Sequence, residues 1–241
     1  MYRLGVGTLL YLVKHSQLDI ANTTRELLKL MSMALEANWK KLLRVIRFVL
    51  KSKTVGLKVE PKLEEGHEQW KMKIYTDANW AGDKETRVSV SGFVLFFCSV
   101  AIMWRSRGQK SVALSSGESE YILLSEAAKE VKFVAMLLKL MRVKVKQPIK
   151  VRVDNVGAIR IAESPLTSSR SWHINTRYHF VRQMVMDGEI RIVFTPTDDN
   201  VADIFTKNVK SEISDRHAKR LIAEKDDYVI QGGCRNVNKI F

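Results

Sequence analysis

The sequence predicts an α/β domain, a mixed five-stranded sheet in the order βββαβααβα flanked by helices and preceded by a small helical segment. Three observations lead there. Lys71–Tyr75, Ser89–Phe97 and Ala101–Ser106 are runs rich in Val, Ile and Phe with no helical pattern between them, which implies an antiparallel meander. Tyr121, Leu124, Ala128, Val131, Ala135 and Leu138 then recur at spacings of three and four, and the helix they mark is long enough to carry a parallel crossover to the next strand, Ile149–Val153. Finally, two strands end alike: an apolar run closes on a lone aspartate, Asp77 in KMKIYTDANW and Asp154 in VRVDN.

Taken in order, Leu4 to Leu50 reads as helical. Asp19 is expected to cap a helix through Arg25 and Leu28 to Met31. A second helix from Leu35 sets Trp39, Leu42, Leu43, Ile46 and Val49 along one stripe. Its other face holds Lys40, Lys41, Arg44, Arg47 and Lys51, read either as a solvated basic face or as a phosphate contact. Pro61 to Glu68, polar and acidic with Gly66, reads as a linker. The expected division is therefore a helical segment 1–60, a linker 61–70, the α/β domain 71–210, and a C-terminal helix and tail 211–241.

Within the α/β part, the apolar run Phe93–Trp104 is shorter than the ~20 residues a bilayer requires, and reads as a buried hairpin turning at Cys98 and Ser99. No membrane span is expected. Ser115 and Ser116 before Glu118 mark the start of the long helix. Pro148 introduces the fourth strand, and Asn155–Ala162 reads as a short helix. Pro165–Arg170 reads as a loop and Trp172–Met186 as a helix ended by Gly188. A last strand, Ile190–Phe194, leads through Pro196 to a helix from about Asp199 to Lys207. Beyond Lys210 a polar helix to about Lys225 is expected, and the tail with Gly232 and Gly233 carries no fold signal.

Forty Lys+Arg against 26 Asp+Glu leave a formal charge of +14 over 241 residues, which points to a polyanionic partner, most simply nucleic acid. Such a balance sets attraction and not chemistry. The two cysteines, Cys98 and Cys234, have no CxxC spacing, which argues against a disulfide framework or a zinc site and fits a reducing compartment. No signal peptide is read at the N-terminus.

The chemistry lies in four carboxylates at element ends. In the predicted sheet the first strand and the crossover strand are neighbours at the centre, and their carboxyl ends are where ligands bind. Asp77 and Asp154 fall side by side there, with Glu120 on the crossing helix and Asp203 on the last helix leaning over the same edge. Taken singly, each is equally a turn, a cap or a surface charge. As a set they repel one another and stay ionised together only if divalent cations neutralise them. Oxygen ligands without His or Cys favour magnesium, with manganese possible. Two such ions, about 3.5–4 Å apart, activate a water and stabilise the leaving oxygen of a phosphodiester. Glu118 lies half a helical turn from Glu120, so both cannot face one site.

The segments YTDANWAGD, SGF, ALSSGESEY, VDNVGAI, RYHFVR and ADIFTK, in this order over about residues 70 to 210, resemble the RNase H domain of copia-type LTR retrotransposon Pol polyproteins. YRLGVGTLLYL and the helices through VGLKV resemble the end of the reverse-transcriptase region that precedes it. The resemblance implies an RNase H-like fold and two-metal hydrolysis of the RNA strand of an RNA–DNA hybrid, in a retroelement particle in the cytoplasm or in the nucleus. It makes Asp77, Glu120, Asp154 and Asp203 the catalytic metal ligands, Glu120 because it directly precedes Tyr121. The polymerase palm is absent from the chain, so DNA synthesis is not expected, and the polymerase part of a polyprotein is an expected partner.

Asn79, Ser115, Ser116 and Asn155 are candidates for reading the 2′-hydroxyl, the two serines also for helix capping. Arg105, Arg107, Lys110, Arg170 and Arg177 are phosphate contacts or plain surface charges. Asn79 and Asn175 replace the family's more usual Asp, Ser171–His173 departs from its wording, and Thr195–Val201 lacks the histidine that cellular enzymes often carry there. Two other readings stay open: a nucleic-acid-binding remnant without activity, and an integrase-like nuclease, which the carboxylate order disfavours.

Overall fold

A computed structural model describes residues 1–32, 35–62, 69–163 and 175–224, with 163, 175–178 and 224 as backbone alone. Three helices, α1 (Tyr2–His15), α2 (Ala21–Lys29) and α3 (Glu36–Lys51), and the short strand β1 (Val55–Leu57) precede the sheet. The sheet strands are β2 (Met72–Asn79), β3 (Val90–Phe97), β4 (Val100–Gly108), β5 (Ile149–Val153) and β6 (Ile190–Phe194), in the spatial order β4-β3-β2-β5-β6. β2, β3 and β4 form the predicted antiparallel meander, while β2–β5 and β5–β6 are parallel. Cys98 and Ser99, with φ of 50° and 74°, make the turn expected between β3 and β4.

Helix α4 (Ser116–Leu140) crosses from β4 to β5, and α5 (Val156–Glu163) and α6 (Asn175–Met186) connect β5 to β6. The stripe Tyr121, Leu124, Ala128 and Val131 is buried against Ile74, Leu95 and Val151 on one sheet face, with Ala135 and Leu138 partly buried beside it. Each such side chain contributes roughly 1.5–3 kcal/mol when fully buried. The opposite face, Tyr75, Val94 and Phe96, packs on Val6 and Leu9 of α1, Leu42 of α3, and Phe205 and Leu221. Polar contacts seal this second layer: Trp104 Nε1 donates to Val13 O at 2.8 Å, and Arg25 Nε donates to Ser106 Oγ at 3.2 Å.

Three expectations are corrected. Asp19 caps no helix; it lies in the 3-10 turn Leu18–Ile20, and α2 starts after Ile20 with no side-chain cap bond. Asp199–Lys207 is not an α-helix but two 3-10 segments, Thr197–Asp199 and Val201–Phe205. Tertiary contacts override the local pattern here. Asn200 accepts from Ala202 N and donates to Thr76 O, while Thr206 bonds both Asp203 O and Asp77, so both ends are pinned to β2. Beyond Lys210, α7 (Ser211–Ala218) stops short of the expected length, and Ile222–Glu224 forms β7, which pairs antiparallel with β1. Two three-residue strands have no periodicity to read, and only their pairing defines them.

Residues 63–68 of the linker, the Pro165–Arg170 loop, residues 171–174 with the predicted start of the helix at Trp172, and the tail with Gly232 and Gly233 lie outside the described residues. Among the described residues no helix is long and apolar enough to cross a membrane.

Candidate active site

The β2–β5 register pairs Tyr75 with Arg152, and two residues further it sets Asp77 opposite Asp154. Adjacent strands lie about 4.8 Å apart, so the two carboxylates face each other at the sheet's carboxyl edge. α4 brings the third. Ser115 caps that helix by accepting from Glu118 N at 3.2 Å, which sets the phase of the first turn. Glu118 then turns back to accept from Leu114 N at 2.7 Å, and Glu120 faces the sheet, its Oε1 accepting from Ala78 N at 2.9 Å. One oxygen each of Asp77, Glu120 and Asp154 lies within 4.8 Å of the others.

Asp203 stands beside this trio rather than in it. The 3-10 segment Val201–Phe205 approaches the sheet because Gly92, paired with Asp77 across β2 and β3, has no side chain; a Cβ there would lie 2.6 Å from Thr206 Cγ2 and 2.7 Å from Phe205 Cβ. That approach delivers three groups to the edge. Thr206 donates to Asp77 Oδ2, and Lys207 Nζ lies 3.3 Å from Asp77 Oδ1 and 3.1 Å from Asp203 Oδ2. Thr197 also donates to Asp154 Oδ2 at 3.1 Å.

Burial and mutual repulsion shape the electrostatics. Glu120 is pushed well above the usual carboxylate range, first by burial and then by Asp77 and Asp154. Asp154 is raised by burial and by Asp77, and Asp203 is raised to about 8 by burial and Asp77, against the pull of Lys207. For Lys207 burial works against the charge, but Asp77 and Asp203 outweigh it and raise its pKa. Glu120 Oε2 and Asp203 Oδ1 are buried with no hydrogen-bond partner. Buried carboxyl oxygens left without donors, in a ligand set of oxygens alone and crowded enough to hold protons, fit a hard divalent cation that would take the protons' place.

The remaining candidates fall as follows. Ser115 and Ser116 are exposed at the start of α4, and Asn79 ends β2 half-buried, its Nδ2 2.5 Å from where a Cβ on Gly82 would sit. Asn155 caps α5, its Oδ1 accepting from Ala158 N at 3.1 Å. Lys110 is exposed in the loop before α4. Arg105 turns to α4, 2.6 Å from Glu130 and 3.9 Å from Glu126. Arg107 is exposed on β4, while Arg170 and the side chain of Arg177 lie outside the described residues.

Lys207, Thr206, Thr197 and Asn200 escaped the sequence reading. Thr206 and Lys207 close the segment ADIFTK, Lys207 follows Asp203 by four residues, and Asn200 precedes it as a helix-capping type, but none of these signals assigns them a partner.

No family model matches the chain. It is 34% identical over 206 residues to the retrovirus-related Pol polyprotein from transposon RE1 of Arabidopsis thaliana, and 32% identical over 208 residues to that from transposon TNT 1-94 of Nicotiana tabacum. Each match covers 86% of this chain, which spans only 14% and 15% of the two relatives' lengths. Among solved structures, LC11-RNase H1 is similar at 17% identity and a TM-score of 0.44, covering 61% of this chain and 96% of that one. With identity above 30% across 86% of its length, the chain belongs to the family of retrovirus-related Pol polyproteins of copia-type transposons.

Proposed function

We propose that the chain is a metal-dependent endoribonuclease, a ribonuclease H that cuts the RNA strand of RNA–DNA hybrids during reverse transcription of a retrotransposon. The observation that carries this reading is the convergence of Asp77, Glu120 and Asp154 within 4.8 Å, with Glu120 Oε2 buried and unpartnered. These three, with Asp203 at their side, would hold two magnesium ions. Divalent cations there supply charge neutralisation at the scissile phosphate and a lowered pKa for the attacking water.

The chain's own residues do the rest. Ala78 N and Thr206 orient Glu120 and Asp77, so the oxygens are placed before any ligand arrives. Thr197 fixes Asp154 in the same way. Lys207 lies between Asp77 and Asp203 and offsets the repulsion between them. Ser115, Ser116, Asn79 and Asn155 lie on the elements that carry these carboxylates and are the proposed readers of the hybrid's minor groove, with Lys110 and Arg177 as proposed phosphate contacts. The polymerase part of the polyprotein is the proposed neighbour in the intact protein.

A second reading, a nucleic-acid-binding remnant without cleavage, is favoured by Lys207, which already supplies a cation to two of the four carboxylates. One assay separates the two. A labelled RNA–DNA hybrid, with single-stranded RNA beside it, is incubated with the purified chain in magnesium or in EDTA. Hybrid-specific cutting that EDTA abolishes is the expected result. Binding of the hybrid without cutting in either condition overturns the enzyme reading in favour of the remnant.

A further inference from the structure

On the face of β2 that carries Asp77, but at the other end of the strand, lies a cavity of about 420 Å³. Lys73, Tyr75 and Phe96 form its floor on β2 and β3. Lys58 and Lys62 enter from the chain after β1, and Lys219 and Arg220 from the end of α7. Among the described residues five cationic side chains therefore meet one acidic one, Glu60, which is already paired with Lys58 at 3.2 Å.

Lys73 is the informative member. Its ammonium lies 5.7 Å from the Tyr75 ring centroid and 5.5 Å from that of Phe96, half-buried, and among the described residues no carboxylate pairs with it. Burial, followed by Arg152, Arg220, Lys150 and Lys62, lowers its pKa. Arg152 is itself held in place, 5.4 Å from the Tyr75 ring and bonded to Thr195 Oγ1 at 3.2 Å. Collecting like charges in a half-dehydrated cleft costs free energy that the apolar floor does not return. A multiply charged anion compensates that cost, and phosphate oxygens are the group that clustered Lys and Arg bind best. The volume falls within the ~300–1,000 Å³ typical of small-molecule sites, far more than a halide or a lone carboxylate needs.

We propose that this cleft is a phosphate-binding site, separate from the carboxylate edge, that takes a phosphate-bearing anion of about nucleotide size, either a segment of single-stranded polynucleotide or a free nucleoside triphosphate. Lys73 and Asp77 lie on one face of one strand, four residues or about 13 Å apart. A strand anchored in the cleft is thus within reach of the same edge, yet the site does not depend on the nuclease reading.

The test measures binding alone, in EDTA, so that no cleavage occurs and its failure leaves the hybrid assay untouched. Affinity for a labelled short oligodeoxynucleotide, and the Tm shift produced by ATP, are compared for the unsubstituted chain, Lys73→Met and Lys219→Gln/Arg220→Gln. A double variant, Lys129→Gln/Lys139→Gln, removes two exposed charges from α4 on the other side of the sheet and serves as the control. The cleft variants are expected to lose about tenfold or more in affinity for at least one ligand, and the control less than about twofold. Loss for the oligonucleotide alone assigns the site to the polynucleotide, and loss for ATP alone to free nucleotide. Lys73→Met should also raise the ligand-free Tm by relieving the repulsion, which shows that the variant folds. Equal losses in cleft and control variants, or no loss for either ligand, overturn the proposal.

Discussion

Glu120 is held by one hydrogen bond, from Ala78 N, against two repulsions, from Asp77 and Asp154. Asp77→Asn removes one of them together with a proposed metal ligand. Cleavage of the hybrid should fall by about 10²–10³-fold or more while hybrid binding is kept or tightened, since a negative charge near phosphate is lost. Cleavage at the unsubstituted rate would sink the site assignment. The same repulsions set a pH dependence. Asp203 has its pKa raised to about 8, so between its ordinary value and 8 the folded chain binds more protons than the unfolded one, and stability falls as pH rises. Buried His217, lowered to about 4, acts with the opposite sign, but only up to its unfolded value near 6.5. In EDTA the Tm should therefore drop from pH 6.5 to 8, and magnesium should reverse most of the drop; a Tm flat or rising over that window in EDTA contradicts the buried-carboxylate account. Asp77 and Asp154 were legible because strand ends are local properties, whereas Glu120 was preferred to Glu118 through the family resemblance, which puts the ligand directly before Tyr121. The place of Lys207 at this edge was not legible, since it consists in a contact with Asp77, 130 residues away.

Among the elements, the segment Val201–Phe205 decides how the edge is completed, and Gly92 is what lets it approach β3. Gly92→Ala would place a methyl 2.6–2.7 Å from Thr206 and Phe205, neither of which offers a flexible side-chain end. Overpacking of this kind costs ~1–3 kcal/mol. Denaturant unfolding should report that loss, and hybrid cleavage should fall further than stability alone explains, because Thr206 and Lys207 move off Asp77. An unchanged denaturation midpoint would mean that the close approach is not required. The strands β2 to β6 and helix α4 were read within a few residues of their observed bounds, as alternation and three-four spacing belong to each segment by itself. The 3-10 geometry of 201–205 was not, because Asn200 and Thr206 bond to β2 in place of continuing a helix.

Over the whole molecule, α1, α3 and β2–β3 share one apolar layer, and β1 pairs with β7 across 165 or more residues of chain. A chain beginning at Gln69 would uncover Tyr75, Val94, Phe96 and Phe205, each contributing roughly 1.5–3 kcal/mol while buried. Its Tm should fall by more than about 10 °C relative to the full chain, with dye binding to exposed apolar surface. Equal Tm values would show that the helical segment is a separate unit. The sequence alone determined the meander, the crossover beside the first strand, the two aspartates at the strand ends and the basic balance, because periodicity and charge are carried by neighbours along the chain. Only the tertiary structure decided that Lys207, Thr206 and Asn200 complete the carboxylate edge, that β7 returns to β1, and that five cationic side chains, Lys73 among them, gather in one cleft. Those features consist of contacts between residues far apart in sequence, where no local pattern can record them.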